Sequence, residues 1–289
     1  MPLVTPRSAS GATARRRFPG MADDRSFPDR YGPWACVLGA SHGIGNAFAH
    51  EIASRGVSVV MAARPDDGLD AAAAAVRAAH DVEVRTVEVD LIADDMLDGL
   101  APATDDLDIG LLACVAGGVD SVGRFLDHPA ARAERLVRLN CLAPVRACHH
   151  FGTRLRDRGR GGIVLISSLA GVFGTDGTVT YSAAKAFDLV LAQGLWAELA
   201  PHGVDVIGLV LGNVRTPTLL SSGMQYDPDA FPGMEPEEVA RVGLDHLGEA
   251  PMWVVGDDNR MIYDTLRTLP AVDGINAMSA GMRAQYGWD

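Results

Sequence analysis

The sequence predicts a single doubly wound, Rossmann-like α/β domain on a parallel sheet of about seven strands. Three observations predict it. From Trp34 onward short β-rich runs alternate with helical runs, the β-rich runs are apolar almost throughout, and the segments between them are long enough for crossover helices. Strands covered by helices on both faces have no solvent side, so apolar residues run on where a half-exposed strand would alternate.

The first expected strand, 35–38, turns through a glycine-rich loop into a helix over 46–55. A second strand, 57–63, leads to a helix over 69–79, and further strands are expected at 82–89, 109–115, 162–166 and 204–211, with a last short one at 253–255. No repeat is visible and no Pro/Ser-rich linker divides the chain after Trp34, so 34–289 is read as one domain. The segment from Met1 to Gly20 differs sharply: it holds Arg7, Arg15, Arg16 and Arg17, several Ser, Thr, Pro and Gly, and no acid. Residues 1–33 are therefore expected to form an N-terminal tail, disordered at least to residue 20. A targeting peptide, or a true start at Met21, are the other readings of that segment.

The 289 residues are 48% hydrophobic and 21% charged, which excludes a disordered chain or a stapled mini-protein. A formal charge of -12 repels nucleic-acid phosphate and anionic lipid, so the expected partner is a small molecule or another copy of the chain. Cys36, Cys114, Cys141 and Cys148 lie far apart with no C-x-x-C pair, which suggests neither a zinc site nor a disulfide framework. No apolar run approaches the roughly 18 to 20 residues that cross a bilayer. A cytoplasmic protein is expected.

The first strand runs into Gly39-Ala40-Ser41-His42-Gly43-Ile44-Gly45 and then directly into helix. A strand that turns sharply onto a helix N-terminus needs glycine where a side chain would block the turn or the ligand, and the exposed N–H groups then hold a phosphate. The second strand ends at Ala63-Arg64, and an arginine there suits a 2′-phosphate as an acid would suit a 2′-hydroxyl. NADP(H) is therefore expected over NAD(H), with Asp66 or Asp67 the acids that could turn inward instead. Asp90 and Leu91, closing the third strand, are placed to meet an adenine edge, although an aspartate there also suits a turn.

Of 25 basic residues only Lys185 is lysine, and it lies four residues after Tyr181. On a helix, positions i and i+4 share a face, so phenol and ammonium can project into one site. A compact cation beside a phenol favours the phenolate, and a planar guanidinium does not replace that point charge. Thirteen residues before Tyr181, Ser168 ends an apolar run just past Ser167, where a hydroxyl could donate to a substrate carbonyl; spacing favours the second serine.

These residues carry a resemblance: from Trp34 to Gly256 the chain is similar to the short-chain dehydrogenase/reductase family. Gly39, Gly43 and Gly45 fit its glycine motif, Asp90 its adenine contact, Ala116 and Gly117 part of its Asn-Asn-Ala-Gly turn, and Asn140 its helix asparagine. Ser168, Tyr181 and Lys185 fit its serine and Tyr-x-x-x-Lys pair, and Gly212, Val214 and Thr216 its Pro-Gly-x-x-x-Thr segment. Leu38, Val115 and Leu211 depart from the pattern, none of them removing a group that touches the chemistry.

The resemblance implies hydride transfer between a nicotinamide and a carbonyl carbon, with Tyr181 as general acid or base and Ser168 polarising the carbonyl. It further implies that Lys185 holds the ribose hydroxyls and that Asn140 anchors a relay water. A homodimer or homotetramer through the helices bearing Asn140 and Tyr181 is implied too. Substrate contacts are expected from Leu169 and Phe173, and from Leu220 and Met224 in a lid over 218–234; Val119, Val122, Phe125, Leu219, Tyr226, Phe231 and Met234 are further choices. These apolar residues suit a lipophilic ketone or secondary alcohol. The extension 257–289 has no motif; it either closes the pocket or meets another subunit. Two other readings stay open: an epimerase or dehydratase of related fold, and a nucleotide-sensing or scaffold protein without turnover.

Overall fold

The computed structural model describes residues 25–65, 67–118, 122–225 and 233–287. Seven parallel strands form one sheet: β1 (Trp34–Leu38), β2 (Ser58–Ala63), β3 (Val84–Glu88), β4 (Ile109–Cys114), β5 (Gly161–Ser168), β6 (Val204–Leu211) and β7 (Met252–Val254). Their order is β3-β2-β1-β4-β5-β6-β7, so the winding reverses between β1 and β4, where strand ends diverge and leave a crevice. The helices are α1 (Phe27–Tyr31), α2 (Gly43–Ser54), α3 (Leu69–Ala79), α4 (Met96–Leu100), α5 (Ala130–Val137), α6 (Ala143–Arg158), α7 (Val179–Leu199), α8 (Pro217–Leu220), α9 (Pro236–Asp245), α10 (Asp257–Thr268) and α11 (Ala271–Tyr286).

Alternate residues of one strand serve two different cores, which explains the unbroken apolar runs. Ala35 and Val37 of β1 join Phe48, Ile52 and Leu244 on one face, while Cys36 and Leu38 join Leu112, Phe151 and Leu155 on the other. All six residues of β4 are buried. All four cysteines are buried and free.

Several bounds differ from the sequence expectation. Helix α2 begins at Gly43, inside the glycine loop, because the loop itself supplies the first turn. Strand β5 runs on to Ser168, which pairs with Leu211, because β6 beside it continues to the same level. Within the segment read as tail, Ser26 caps α1, whose Tyr31 is buried and donates from Oη to Asp205 Oδ2 at 2.8 Å. Arg30 pairs with the same carboxylate at 2.6 Å, so this short helix is docked against the foot of β6. The first 24 residues lie outside the described ones, as do Asp66, Val119, Tyr226, Phe231 and Trp288. Among the described residues no helix is long and apolar enough to cross a membrane.

Candidate active site

A cavity of about 410 Å³ opens at the C-terminal ends of β1, β4, β5 and β6, at the reversal of winding. Its floor is the glycine loop. Gly39 and Gly43 have φ of 87° and 57°, a left-handed conformation that glycine adopts without strain. A Cβ at Gly39 would lie 2.7 Å from Ala116 Cα, and one at Gly45 would overlap the Gly39 carbonyl oxygen. Glycine thus lets strand, loop and helix close on one another. His42 precedes α2 without capping it through its side chain; its Nδ1 instead meets Ser41 Oγ at 2.9 Å. The N-terminus of α2 therefore faces the cavity with its partial positive charge available. Ser41, His42, Gly43, Ile44 and Gly45 all line this space.

At the end of β2, Arg64 lines the cavity beside Asp67, and the two form a fork-to-fork pair with both contacts at 3.2 Å. Asp67 does turn inward. Asp90 and Leu91 line the same end, and Asp90 Oδ1 accepts from the Ile92 backbone N–H at 3.2 Å, so this aspartate also shapes its turn.

Ala116 and Gly117 follow β4, tied to β1 by Ala116 N–H donating to Leu38 O at 2.7 Å. A Cβ on Gly117 would stand 2.7 Å from Asn140 Oδ1 and 3.3 Å from Lys185 Nζ. Asn140 is fully buried in a π-helical turn, Arg138–Leu142, which joins α5 to α6. Its Oδ1 accepts from Gly118 N–H at 3.2 Å, and its Nδ2 donates to Leu136 O at 3.1 Å and Gly118 O at 3.3 Å. The wide turn is what aims this side chain at the loop after β4.

Ser167 and Ser168 divide the labour that sequence left open. Ser167 is buried and its Oγ donates to Lys185 O at 2.7 Å, locking β5 to α7. Ser168 Oγ accepts from Ala170 N–H at 3.2 Å and retains its own proton for another acceptor. One turn apart on α7, Tyr181 and Lys185 both line the cavity, with Nζ 5.8 Å from the phenol ring centroid. The Lys185 ammonium is buried and donates to Ile166 O and to Asp188 Oδ2, each at 2.9 Å. Burial opposes its charge, but Asp188 and Tyr181 outweigh burial and hold its pKa above the ordinary lysine value. Burial also pushes the Asp188 carboxyl up, against the pull of Lys185. Sequence reading missed Asp188; its signal was an acid one turn beyond the only lysine.

Past β6, Gly212, Val214 and Thr216 line the opposite wall. A Cβ at Gly212 would collide with Asn259 of α10. Val214 pairs with Met234 in an isolated bridge, and Thr216 Oγ1 accepts from Leu219 N–H at 3.1 Å to start α8.

The four apolar residues expected to contact substrate do not line the cavity. Leu169 packs with Val210, Val254 and Tyr263 instead. Phe173 lies against Gly274 of α11, Met224 is buried elsewhere, and Leu220 points to solvent because the short α8 turns Thr218 and Leu219 inward. Phe125 lines a separate cavity of about 180 Å³ that shares Leu136, Thr178 and Tyr181 with the main one. The walls sequence reading passed over are Leu136 and Leu139 beside the π-helical turn, and Gln285 and Tyr286 of α11; Met282 of the same helix, in the extension that either closes the pocket or meets another subunit, joins them.

Comparison with known proteins agrees with this geometry. The family described as short chain dehydrogenase matches residues 33–226. The chain is 34% identical over 236 residues to the 7beta-hydroxysteroid dehydrogenase of Clostridium sardiniense, covering 81% of this chain and 90% of that one. A solved 7beta-hydroxysteroid dehydrogenase superposes with a TM-score of 0.81 at 28% identity, covering 88% of this chain and 99% of that one. A short-chain dehydrogenase from Sphingobium yanoikuyae, solved with NADPH, superposes at 0.69 and 33% identity, covering 78% and 87%. Sheet order, site geometry and sequence together establish that this chain belongs to the short chain dehydrogenase family, oxidoreductases that act on CH–OH groups with NAD(P).

Proposed function

We propose that the protein is an NADP(H)-dependent oxidoreductase that interconverts a lipophilic ketone and its secondary alcohol. The observation that carries this reading is the convergence of Ser168, Tyr181 and Lys185 at the end of β5, in the same cavity as the glycine loop. The residues fit a dinucleotide: a Cβ at Gly43 would stand 3.1 Å from Thr216 Cγ2 and one at Gly117 3.3 Å from Lys185 Nζ, all residues that line the cavity, and the α2 N-terminus offers N–H groups to a pyrophosphate. Ser41, His42, Gly43 and Ile44 would hold the phosphates, Asp90 and Leu91 the adenine, and Gly212, Val214 and Thr216 the carboxamide end. A bound nicotinamide supplies or accepts the hydride.

The chain's own residues handle the proton. Ser168 Oγ donates to the substrate oxygen and fixes it against Tyr181. The Tyr181 hydroxyl protonates that oxygen in reduction, and its phenolate removes the proton in oxidation. An ammonium has three donors; two of those on Lys185 go to Ile166 O and Asp188, which leaves one for a ribose hydroxyl. Asn140 holds Gly118 and thereby the wall beside Lys185, where a relay water would sit.

Leu136, Leu139, Leu219 and Met282 make the substrate side apolar, and a relative of high coverage carries the name of a hydroxysteroid dehydrogenase. Arg64 supports NADP(H) over NAD(H), since its pairing with Asp67 is exposed and exchanges readily for a phosphate. Titration with NADPH and NADH, followed by nicotinamide fluorescence, tests this. NADPH is expected to bind at least about tenfold tighter, a difference of roughly 1.4 kcal/mol; equal affinities overturn the preference, and no binding of either overturns the enzyme reading.

A further inference from the structure

Lys185 and Asp188 form an ion pair inside the protein, with side chains only 6% and 3% exposed. Such a pair is costly unless every remaining donor and acceptor is satisfied, and here one is not: Asp188 Oδ1 is buried without a hydrogen-bond partner. Removing one partner of a buried pair leaves the other charge uncompensated, so this carboxylate is tied to the ammonium beside it and not to packing alone. Lys185 lines the cavity and Asp188 does not, so the ammonium lies between Tyr181 and a negative charge on the far side. The inference that follows rests on the roles proposed for Tyr181 and Lys185.

We infer that Asp188 is a positioning residue of the Tyr181–Lys185 pair: its carboxylate clamps the ammonium from the side away from the cavity and partly cancels the positive charge that Tyr181 meets. Position and charge are separable effects. The clamp, shared with Ile166 O, spends two donors and aims the third into the cavity. The cancellation sets the pH at which Tyr181 changes from acid to base, because opposite charges at this range move a neighbour's titration.

Arg135 of α5, which packs on α7, lines the same cavity as a fixed cation, while the thiols and the phenol nearest the pair stay neutral over the working range. Cys141, in the π-helical turn, is pushed up to about 11 by burial and by Asp188, against the pull of Lys185. Cys114 of β4 is raised well above the ordinary thiol value through its hydrogen bond to Cys148 of α6, with burial adding to it. On the cavity side Tyr286 of α11 is raised by burial, with Tyr181 adding to it. Lys185, Asp188 and the phenolate form of Tyr181 are therefore the titrating charges that act on one another here, beside the fixed charge of Arg135, which Asp188→Asn leaves in place.

In Asp188→Asn the amide oxygen still accepts from Nζ and Ile166 O remains, so the ammonium keeps its acceptors while the negative charge is gone. Tyrosinate absorbance is titrated against pH in the full chain and in this variant, each with and without saturating NADP+. Subtracting the trace of the matching Tyr181→Phe protein isolates Tyr181 from the other four of the five tyrosines. The Tyr181 midpoint is expected to fall by about one pH unit or more in Asp188→Asn, and Asp188→Glu is expected to restore it. The pH limb of alcohol oxidation should move the same way.

An unchanged midpoint would reduce Asp188 to a packing role and overturn the inference. An upward move would overturn it too, because Asp188 would then be sustaining the ammonium and not offsetting it. If Asp188→Asn does not fold, Asp188→Ser carries the same expectation with less bulk. The titration needs no substrate, so failure to oxidise any alcohol would count against the proposed function, and the midpoint alone decides the role of Asp188.

Discussion

At the scale of single residues, the site depends on which atoms are already committed. Ser167 and Ser168 are chemically identical, yet Ser167 is spent on Lys185 O and Ser168 is left with a free proton. Asn140 uses both ends of its amide on neighbouring backbone, so it acts by holding Gly118 and Leu136 in place. Tyr181 makes the sharpest test. Replacing it by Phe removes the proton that the proposed mechanism exchanges with substrate and leaves the glycine loop and Arg64 untouched. Turnover is expected to fall by about 10²–10⁴-fold, the usual size of a lost general acid, with the Kd for NADPH unchanged. Steady-state rates beside a fluorescence titration check both halves; a variant keeping more than about a tenth of the activity would remove Tyr181 from this role.

At the scale of elements, α11 supplies Met282, Gln285 and Tyr286 to the wall of the cavity. It is docked at several points: Gly274 against the Phe173 ring, Ser279 Oγ accepting from Asp176 N–H at 3.1 Å, and Gln285 O accepting from Gln225 N–H at 2.8 Å. Arg283 adds a 3.2 Å pair with Asp176, and Tyr286 meets Ser222 at 3.2 Å. The extension thus ties the turn after β5 to the segment after α8, and its last turn walls the cavity on the side proposed for substrate. Gly274→Val puts a branched side chain where the Phe173 ring lies, and overpacking of that kind costs about 1–3 kcal/mol, relieved here by displacement of the helix. The expected result is a several-fold rise in KM for substrate with unaltered NADPH affinity. A variant with wild-type KM would show that α11 does not shape the substrate side.

At the scale of the whole molecule, α5 to α7 carry an apolar surface that the fold does not cover. Val137, Leu142, Val145, Val179, Phe187 and Val190 are exposed on these elements, with Val190 at 65%. Exposed apolar residues gathered on neighbouring helices suit an association surface, and a two-fold contact would place the same helices against each other. The same helices carry Tyr181, Lys185 and the π-helical turn with Asn140, so association would brace the site from behind. Sedimentation is expected to give a dimer or tetramer for the wild type and a smaller species for Val190→Glu. A wild-type monomer at high concentration would refute this surface as an interface.

Chain order and spacing alone pointed to the fold class, the glycine loop, and the residues Ser168, Tyr181 and Lys185, because these follow local rules: a strand must turn onto a helix through glycine, and i and i+4 share a helix face; Asn140 was legible only through the family resemblance. Every residue read from the sequence as a cofactor contact lines one cavity. The substrate wall was not legible, because inward or outward facing in α8 and α11 depends on how each helix docks. Leu219 and Met282 face in while Leu220, of the same character, faces out. Nor was the docking of α1, where Tyr31 finds a carboxylate 174 positions away. Asp188 is the clearest case: its distance from Lys185 along the chain is a local fact, but its burial, its unpaired oxygen and its place behind the ammonium exist only once β5 and α7 have packed together.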